Sequence, residues 1–74
     1  MGKKNKKLIS LRRMAGFSQK DMASMIGITQ ATYSRKENGS AAFDEKEMAN
    51  IYDLLFRSLK EFFPDLKITD IFFE

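Results

Sequence analysis

The sequence predicts an all-α fold of five helices in one small domain. Apolar residues recur at three- and four-residue spacing in several separate segments, which is the pattern of helices with one buried side. Two polar pairs have the three-residue spacing of a capping box, Ser18–Asp21 and Asp44–Glu47. A capping box marks the first turn of a helix. The chain has 74 residues, which suits a single domain of this kind.

The segment from Phe17 to Gly39 is predicted to form two short helices joined by a tight turn, and the rest of the chain is arranged around it. Ser18 can cap the first of these helices, which ends at Gly27 because glycine tolerates a positive φ. Thr29 can cap the second, which ends at Gly39. Two short helices joined by about four residues are typical of the helix-turn-helix that reads DNA.

Three further helices complete the predicted fold. Helix 1 should run from about Lys6 to Ala15, and helix 4 should begin after Asp44. Helix 4 is expected to continue until shortly before Pro64, because the residue that precedes a proline disfavours the helical conformation. A short fifth helix is expected from Ile68 onwards.

The domain organisation is simple. Residues 1–7 are expected to form a basic, flexible arm, which is either a solvated tail or a segment that lies on phosphate or in the minor groove. Residues 8–74 form one domain, whose last part, from about residue 56 to residue 74, is an extension. No low-complexity linker interrupts the chain, so we expect no second domain.

The composition argues against catalysis. The chain contains no His and no Cys, so it lacks the commonest general base, the commonest metal ligand and any disulfide. Its four glycines are isolated and do not form a phosphate-binding loop. We therefore expect no enzyme activity, no metal and no cofactor, and no small-molecule ligand is evident. No apolar run reaches the length of a membrane span, so we expect no membrane contact and a cytoplasmic location.

Charge is unevenly distributed along the chain. Residues 1–20 contain seven Lys or Arg and no Asp or Glu, whereas residues 40–74 contain eight acidic and four basic residues. The net charge of the whole chain is +3. The basic first part suits a polyanion such as DNA, and the acidic last part suits a face that is turned away from it.

A dense set of residues follows one pattern: Leu8, Leu11, Arg12, Gly16, Phe17, Ser18, Gln19, Met22, Ala23, Ile26, Gly27, Ile28, Tyr33, Ser34, Arg35, Glu37, Asn38 and Gly39. Over roughly Leu8 to Leu55 the chain resembles the phage repressor and Cro type of helix-turn-helix domain, the XRE family. The resemblance implies a lambda-repressor-like arrangement with the helix-turn-helix at helices 2 and 3. It also implies a bacterial or phage transcriptional regulator that binds double-stranded DNA at specific sequences, and we expect a repressor.

The resemblance assigns base reading to helix 3. The candidate base readers are Gln30, Ala31, Thr32, Ser34 and Arg35. A glutamine can pair with adenine and an arginine with guanine through two hydrogen bonds each, and an alanine or a threonine methyl group can contact the thymine methyl.

Phosphate contacts position a protein on DNA without carrying sequence information. The candidate phosphate contacts are Gln19, Lys20, Arg13, Asn38, Gly39 and Lys36. Gln19 is expected beside free N–H groups at the start of helix 2, which favour an anion. Lys36 departs from the family pattern, which usually has an apolar or aromatic residue there. Its stem can lie on the core while its ammonium group reaches outwards.

Arg12 and Glu37 are expected to form a structural ion pair. Arg12 falls beside Leu8 on the apolar side of helix 1, where an unpaired charge would be costly. In the family that the chain resembles, the counterparts of Arg12 and Glu37 pair with each other, which would explain both charges.

The C-terminal extension contains more apolar surface than a monomer of this size is expected to bury, so we predict a homodimer interface there. Its candidate residues are Phe56, Leu59, Phe62, Phe63, Ile71, Phe72 and Phe73. The alternative is that this segment closes the core of the single chain. A dimer would hold its two recognition helices about one DNA turn apart, on an inverted-repeat operator.

A second hypothesis of function is a protein-interaction module, antitoxin-like or antirepressor-like, that binds a different protein through the hydrophobic C-terminus. The basic first half favours DNA as the partner, and the aromatic C-terminus favours a protein. The two hypotheses can hold together.

Overall fold

The structure is a computed structural model that describes residues 4–72. These residues form five helices, α1 (Lys6–Met14), α2 (Gln19–Ile26), α3 (Gln30–Glu37), α4 (Glu45–Leu59) and α5 (Ile68–Phe72). No strand occurs within this range, so the predicted all-α, five-helix fold is confirmed. Every helix in residues 4–72 is too short or too polar to span a membrane. Phe73 of the predicted dimer interface and residues 1–3 of the predicted arm lie outside the described residues.

Local polar signals start the helices where the sequence predicts them. The Ser18 hydroxyl accepts a hydrogen bond from the Asp21 N–H at 3.0 Å, and the Asp21 carboxylate accepts one from the Ser18 N–H at 2.9 Å. Asp44 and Glu47 form the same reciprocal capping box at the start of α4. Thr29 caps α3. Both helices of the helix-turn-helix therefore begin at the predicted residues.

The turn between α2 and α3 depends on Gly27, whose φ of 78° lies in the left-handed region. The Gly27 N–H donates to the carbonyls of Ala23 and Ser24, and the Ile28 N–H also donates to Ala23, at 3.0 Å. These bonds satisfy carbonyl groups that would otherwise lack donors at the helix end. The short link that follows places α3 directly against α2.

One hydrophobic core receives side chains from all five helices. Its buried members are Leu8, Leu11, Met22, Ala23, Tyr33, Ile51, Leu55, Leu59, Leu66 and Ile71. In this core α2 packs on α3 and α4, while α5 packs on α1 and α4. The helix-turn-helix formed by α2 and α3 therefore packs on α4 through α2.

The C-terminal extension folds back onto its own chain. Helix α4 ends at Leu59, about one helical turn earlier than predicted. The N–H groups of Phe62 and Phe63 both donate to the Leu59 carbonyl, at 2.9 and 2.8 Å, and form a tight turn. The Tyr52 hydroxyl donates to the Leu66 carbonyl at 2.7 Å, which ties the returning segment to α4.

This return corrects two members of the predicted dimer interface. Leu59 is 3% exposed and Ile71 is 1% exposed, and both lie in the core of the single chain, so neither offers surface to a second copy. Phe56 and Phe72 are half-buried against the same core. The physical reason is that Leu59 lies on the same side of α4 as Ile51 and Leu55, and that the reversal after α4 brings Ile71 onto the core.

The core position of α5 gives a first prediction. Ile71→Ala should lower the free energy of unfolding by about 2–4 kcal/mol, because it removes a buried side chain and leaves a cavity. Thr69→Ala, at an exposed position of the same helix, should change it by less than about 0.5 kcal/mol. Urea titrations of the two variants measure both values. Equal losses would contradict the burial of α5 in the chain's own core.

Candidate nucleic-acid interface

One side of α3 is open to solvent while another is buried. Tyr33 and Glu37 are buried against the rest of the domain. Gln30, Ala31 and Arg35 are exposed. With about 3.6 residues per turn, these three positions fall on one side of the helix. The local geometry of α3 thus leaves three of the predicted base readers accessible together.

The other two predicted base readers, Thr32 and Ser34, are half-buried. The Thr32 hydroxyl accepts a hydrogen bond from the Thr29 hydroxyl at 2.9 Å, and the Thr32 N–H donates to Thr29 Oγ1 at 3.2 Å. Thr32 therefore takes part in capping the helix. Ser34 falls between Gln30 and Arg35 around the helix circumference, so it shares their open side.

The start of α2 brings a second group of polar residues to the surface. Lys20 is exposed there, and Arg13 is exposed in the last turn of α1. Gln19 is half-buried, and its Nε2 donates to Glu37 Oε1 at 3.0 Å. A primary amide has two N–H donors, so one of them is engaged inside the protein and the other can still donate to an anion.

A buried carboxylate, that of Glu37, joins α1, α2 and α3. Arg12 Nε donates to Glu37 Oε2 at 2.9 Å, and Arg12 Nη2 donates to Oε1 at 3.1 Å. Gln19 also donates to Oε1, and the Tyr33 hydroxyl donates to Oε2 at 2.7 Å. We call these four residues the Glu37 network. The ion pair in it is the one that the sequence predicts, and the bonds from Gln19 and Tyr33 are additional.

The donors keep this carboxylate ionised in spite of its burial. Burial raises the pKa of Glu37, but the hydrogen bonds from Arg12, Gln19 and Tyr33, with the charge of Arg12, outweigh it and hold the pKa below its ordinary value. The pKa of Tyr33 is raised, first by burial and then by its hydrogen bond to the Glu37 carboxylate. Tyr33 therefore remains protonated and continues to donate.

Main-chain contacts extend the Glu37 network to both ends of α1. Arg12 Nη1 donates to the Phe17 carbonyl at 2.9 Å, in the link between α1 and α2. The Asn5 side chain caps α1, and the Asn5 N–H donates to the Glu37 carbonyl at 2.9 Å. The structure describes residues 4–7 of the predicted basic arm: Asn5 lies next to the end of α3, and Lys6 and Lys7 belong to α1. An asparagine before an apolar run is an N-cap signal, and the prediction for helix 1 did not use it.

At the end of α3 two of the predicted phosphate contacts, Lys36 and Gly39, make bonds within the chain. Lys36 Nζ lies 2.6 and 2.7 Å from the two Glu47 carboxylate oxygens, so this ammonium group is paired with an acid. The Gly39 N–H donates to the Lys36 carbonyl at 3.2 Å, because the last carbonyls of a helix need donors. Asn38 is exposed and remains available.

Comparison with known proteins assigns the chain to a family. The family model described as helix-turn-helix matches residues 8–62, which is more than half of the chain. The chain belongs to the XRE type of the helix-turn-helix family. Members of this family are DNA-binding regulators, so the open side of α3 in this helix-turn-helix protein is its candidate DNA-reading surface. No curated protein sequence matches the chain.

Two solved structures are similar to this helix-turn-helix protein. The restriction-modification controller protein C.AhdI from Aeromonas hydrophila matches with a TM-score of 0.69 at 19% identity, over 92% of this chain and 89% of that chain. The clp gene regulator ClgR from C. glutamicum matches with a TM-score of 0.65 at 17% identity, over 88% of this chain and 73% of that chain. At these identities the likeness shows a shared fold.

The Glu37 network gives a second prediction. Arg12→Ala should lower the free energy of unfolding by about 3–5 kcal/mol, because it leaves the buried Glu37 carboxylate without its charged partner. Arg13→Ala removes the same charge from an exposed position and should change stability by less than about 0.5 kcal/mol. Thermal and urea unfolding measure both. Equal melting temperatures for the two variants would show that the pair does not stabilise the fold.

Proposed function

We propose that this chain is a sequence-specific regulator of transcription that binds double-stranded DNA. One observation carries the proposal: α3, the second helix of the helix-turn-helix, exposes Gln30, Ala31 and Arg35 on a single side. A helix in this position is the element that enters the major groove in proteins of this type. These side chains include the two that match adenine and guanine edges best.

In this proposal Gln30 and Arg35 read bases, and the residues around them fix the position of α3 on the duplex. Lys20 of α2 and Arg13 of α1 supply positive charge, and Asn38 supplies a donor at the end of α3. The contacts of Lys20, Arg13 and Asn38 go to phosphate, which is the same in every duplex, so they act on all sequences alike. Sequence preference should therefore depend on the first pair, and overall affinity on the other residues.

Two further observations support regulation of transcription as the role. The seven basic residues in residues 1–20 suit binding to phosphate, whose strength falls as salt rises. The similar structures are named as a controller protein of a restriction-modification system and as a regulator of clp genes. We propose that this protein represses by occupying an operator, in the cytoplasm.

We also propose that the protein binds its operator as a homodimer, through the turn after α4. Phe62 is 73% exposed and Phe63 is 38% exposed, although both are large and apolar. They line an open groove of about 620 Å³, with Lys7 and Asp65 also in its lining. A twofold contact brings the same patch of two copies together, and a patch that holds both signs of charge can complement itself.

The second candidate function is a protein-interaction module, antitoxin-like or antirepressor-like. The exposure of Phe62 favours it, because the same apolar turn could contact a different protein instead of a second copy. Chromatography on heparin separates the two candidates. Elution at a salt concentration well above that expected for simple ion exchange supports DNA binding, and failure to bind supports the protein partner.

A third prediction separates base reading from phosphate contact. Arg35→Ala should cost about 1–3 kcal/mol on the preferred site and relax preference at one base pair, since a bidentate contact to guanine is lost. Lys20→Ala should instead weaken all duplexes to a similar extent and lower the salt slope by about one. Selection of bound duplexes from a random pool measures the preference, and binding titrations at several salt concentrations measure the affinity and the salt slope. An unchanged selected motif for Arg35→Ala would refute its role as a base reader.

A fourth prediction concerns the dimer. The unaltered protein should sediment at about twice its chain mass of 8.6 kDa at micromolar concentration. Phe62→Glu should give a monomer that binds the operator more weakly, although no residue of α3 has changed. Lys60→Glu adds a carboxylate to the same turn without removing apolar surface, and it should remain dimeric. A single species of 8.6 kDa for the unaltered protein would refute the dimer.

A further inference from the structure

The connection between α3 and α4, residues 38–44, links the end of the recognition helix α3 to the start of α4. The N–H groups of Ser40 and Ala41 both donate to the Arg35 carbonyl, at 2.9 and 3.3 Å. The Phe43 ring packs between Tyr33 of α3 and Phe72 of α5, with ring centroids 5.7 and 5.6 Å apart. This connection is therefore fastened to α3 by its backbone and to the core by one aromatic ring.

An ion pair bridges the same connection from end to end. Lys36, in the last turn of α3, contacts both carboxylate oxygens of Glu47, in the first turn of α4. Glu47 also accepts a hydrogen bond from the Asp44 N–H at 2.9 Å, and its own N–H donates to Asp44 at 2.7 Å. One carboxylate thus caps α4 and holds the end of α3 at the same time.

The surroundings of this pair distinguish it from an ordinary surface ion pair. The Lys36 and Glu47 side chains are 16% and 12% exposed, whereas those of Arg57 and Asp53, which also pair, are 75% and 57% exposed. Solvent and salt screen an exposed pair strongly and a half-buried pair much less. The contact between Lys36 and Glu47 therefore constrains the helices that carry it.

We propose that Lys36 and Glu47 are positioning residues for DNA reading. Their contact fixes the last turn of α3 against α4 and orders the connection that carries Asn38, so that Arg35 and Asn38 keep the arrangement that a duplex requires. This inference rests on the proposed DNA-binding function. It also takes Lys36 out of the set of residues that touch phosphate directly.

Two variants separate positioning from direct phosphate contact. Glu47→Gln removes the charge that holds Lys36 but keeps an oxygen that can accept from the Asp44 N–H, so the capping box remains possible. Lys36→Met removes the ammonium group and keeps an unbranched stem on the core. Lys46→Met is the matched control, because it removes the same charge from the neighbouring exposed position of α4.

Positioning predicts that Glu47→Gln and Lys36→Met both weaken binding to the selected site about tenfold, while their affinity for a random duplex and their salt slope stay unchanged. Lys46→Met should leave the affinity for the selected site unchanged. These titrations are made well below the melting temperature of each variant, so that unfolding does not contribute to the loss.

Direct phosphate contact by Lys36 predicts a different pattern. Lys36→Met would then weaken all duplexes and reduce the salt slope by about one, and Glu47→Gln would strengthen binding by releasing the ammonium group. Either result overturns the proposal.

A measurement without DNA tests the ordering role of the ion pair independently of the proposed DNA-binding function. If the unaltered protein binds no duplex, the proposed function fails, and hydrogen exchange of the Ser40 and Ala41 amides still tests the pair. Faster exchange of these amides in Glu47→Gln and Lys36→Met, but not in Lys46→Met, supports an ordering role for the ion pair. Unchanged exchange in all three variants overturns it.

Discussion

The arrangement of the first three helices depends on one buried carboxylate. Glu37 is 1% exposed, and a charge removed from water to that extent is costly unless donors surround it. Arg12 donates to it from α1, Gln19 from α2 and Tyr33 from within α3. Each of these three helices therefore contributes at least one hydrogen bond to the same carboxylate. The relative positions of these helices are thereby fixed by directional contacts as well as by apolar packing.

The consequence for function is that α3, which carries the exposed residues, is held in a fixed position by the rest of the domain. The side that carries Tyr33 and Glu37 is held from within, and the end of the helix is held by Lys36 and Glu47. The remaining side carries Gln30, Ala31 and Arg35, which we propose contact DNA. A reader of sequence needs this stability, because hydrogen bonds to base edges tolerate only small errors of position.

The sequence predicted those features that have a local cause. Of the contacts between distant segments, the family resemblance gave the pair of Arg12 and Glu37, but nothing in the sequence gave the contact between Lys36 and Glu47. The capping boxes at Ser18 and Asp44 act within a few residues, and so does the glycine at the end of α2. The helix order and most helix starts could therefore be predicted. The contact between Lys36 and Glu47 depends on how residues 38–44 fold, which no spacing pattern encodes. The apolar C-terminal residues were ambiguous for a different reason: hydrophobic burial has no direction, so a sequence cannot say whether a residue such as Ile71 packs within its own chain or against another.

A titration of the Glu37 side chain by carbon NMR in the folded protein tests the central claim most directly. If Arg12, Gln19 and Tyr33 stabilise the ionised form, the pKa of Glu37 lies below its ordinary value of 4.5. A pKa that is lower in the folded than in the unfolded chain means that this stabilisation is present above the ordinary value and is lost as the pH falls through the lowered one. The account therefore predicts a Glu37 pKa below 4.5 that rises in Arg12→Ala. A value at or above 4.5 in the unaltered protein would show that burial outweighs the donors, and it would contradict the account.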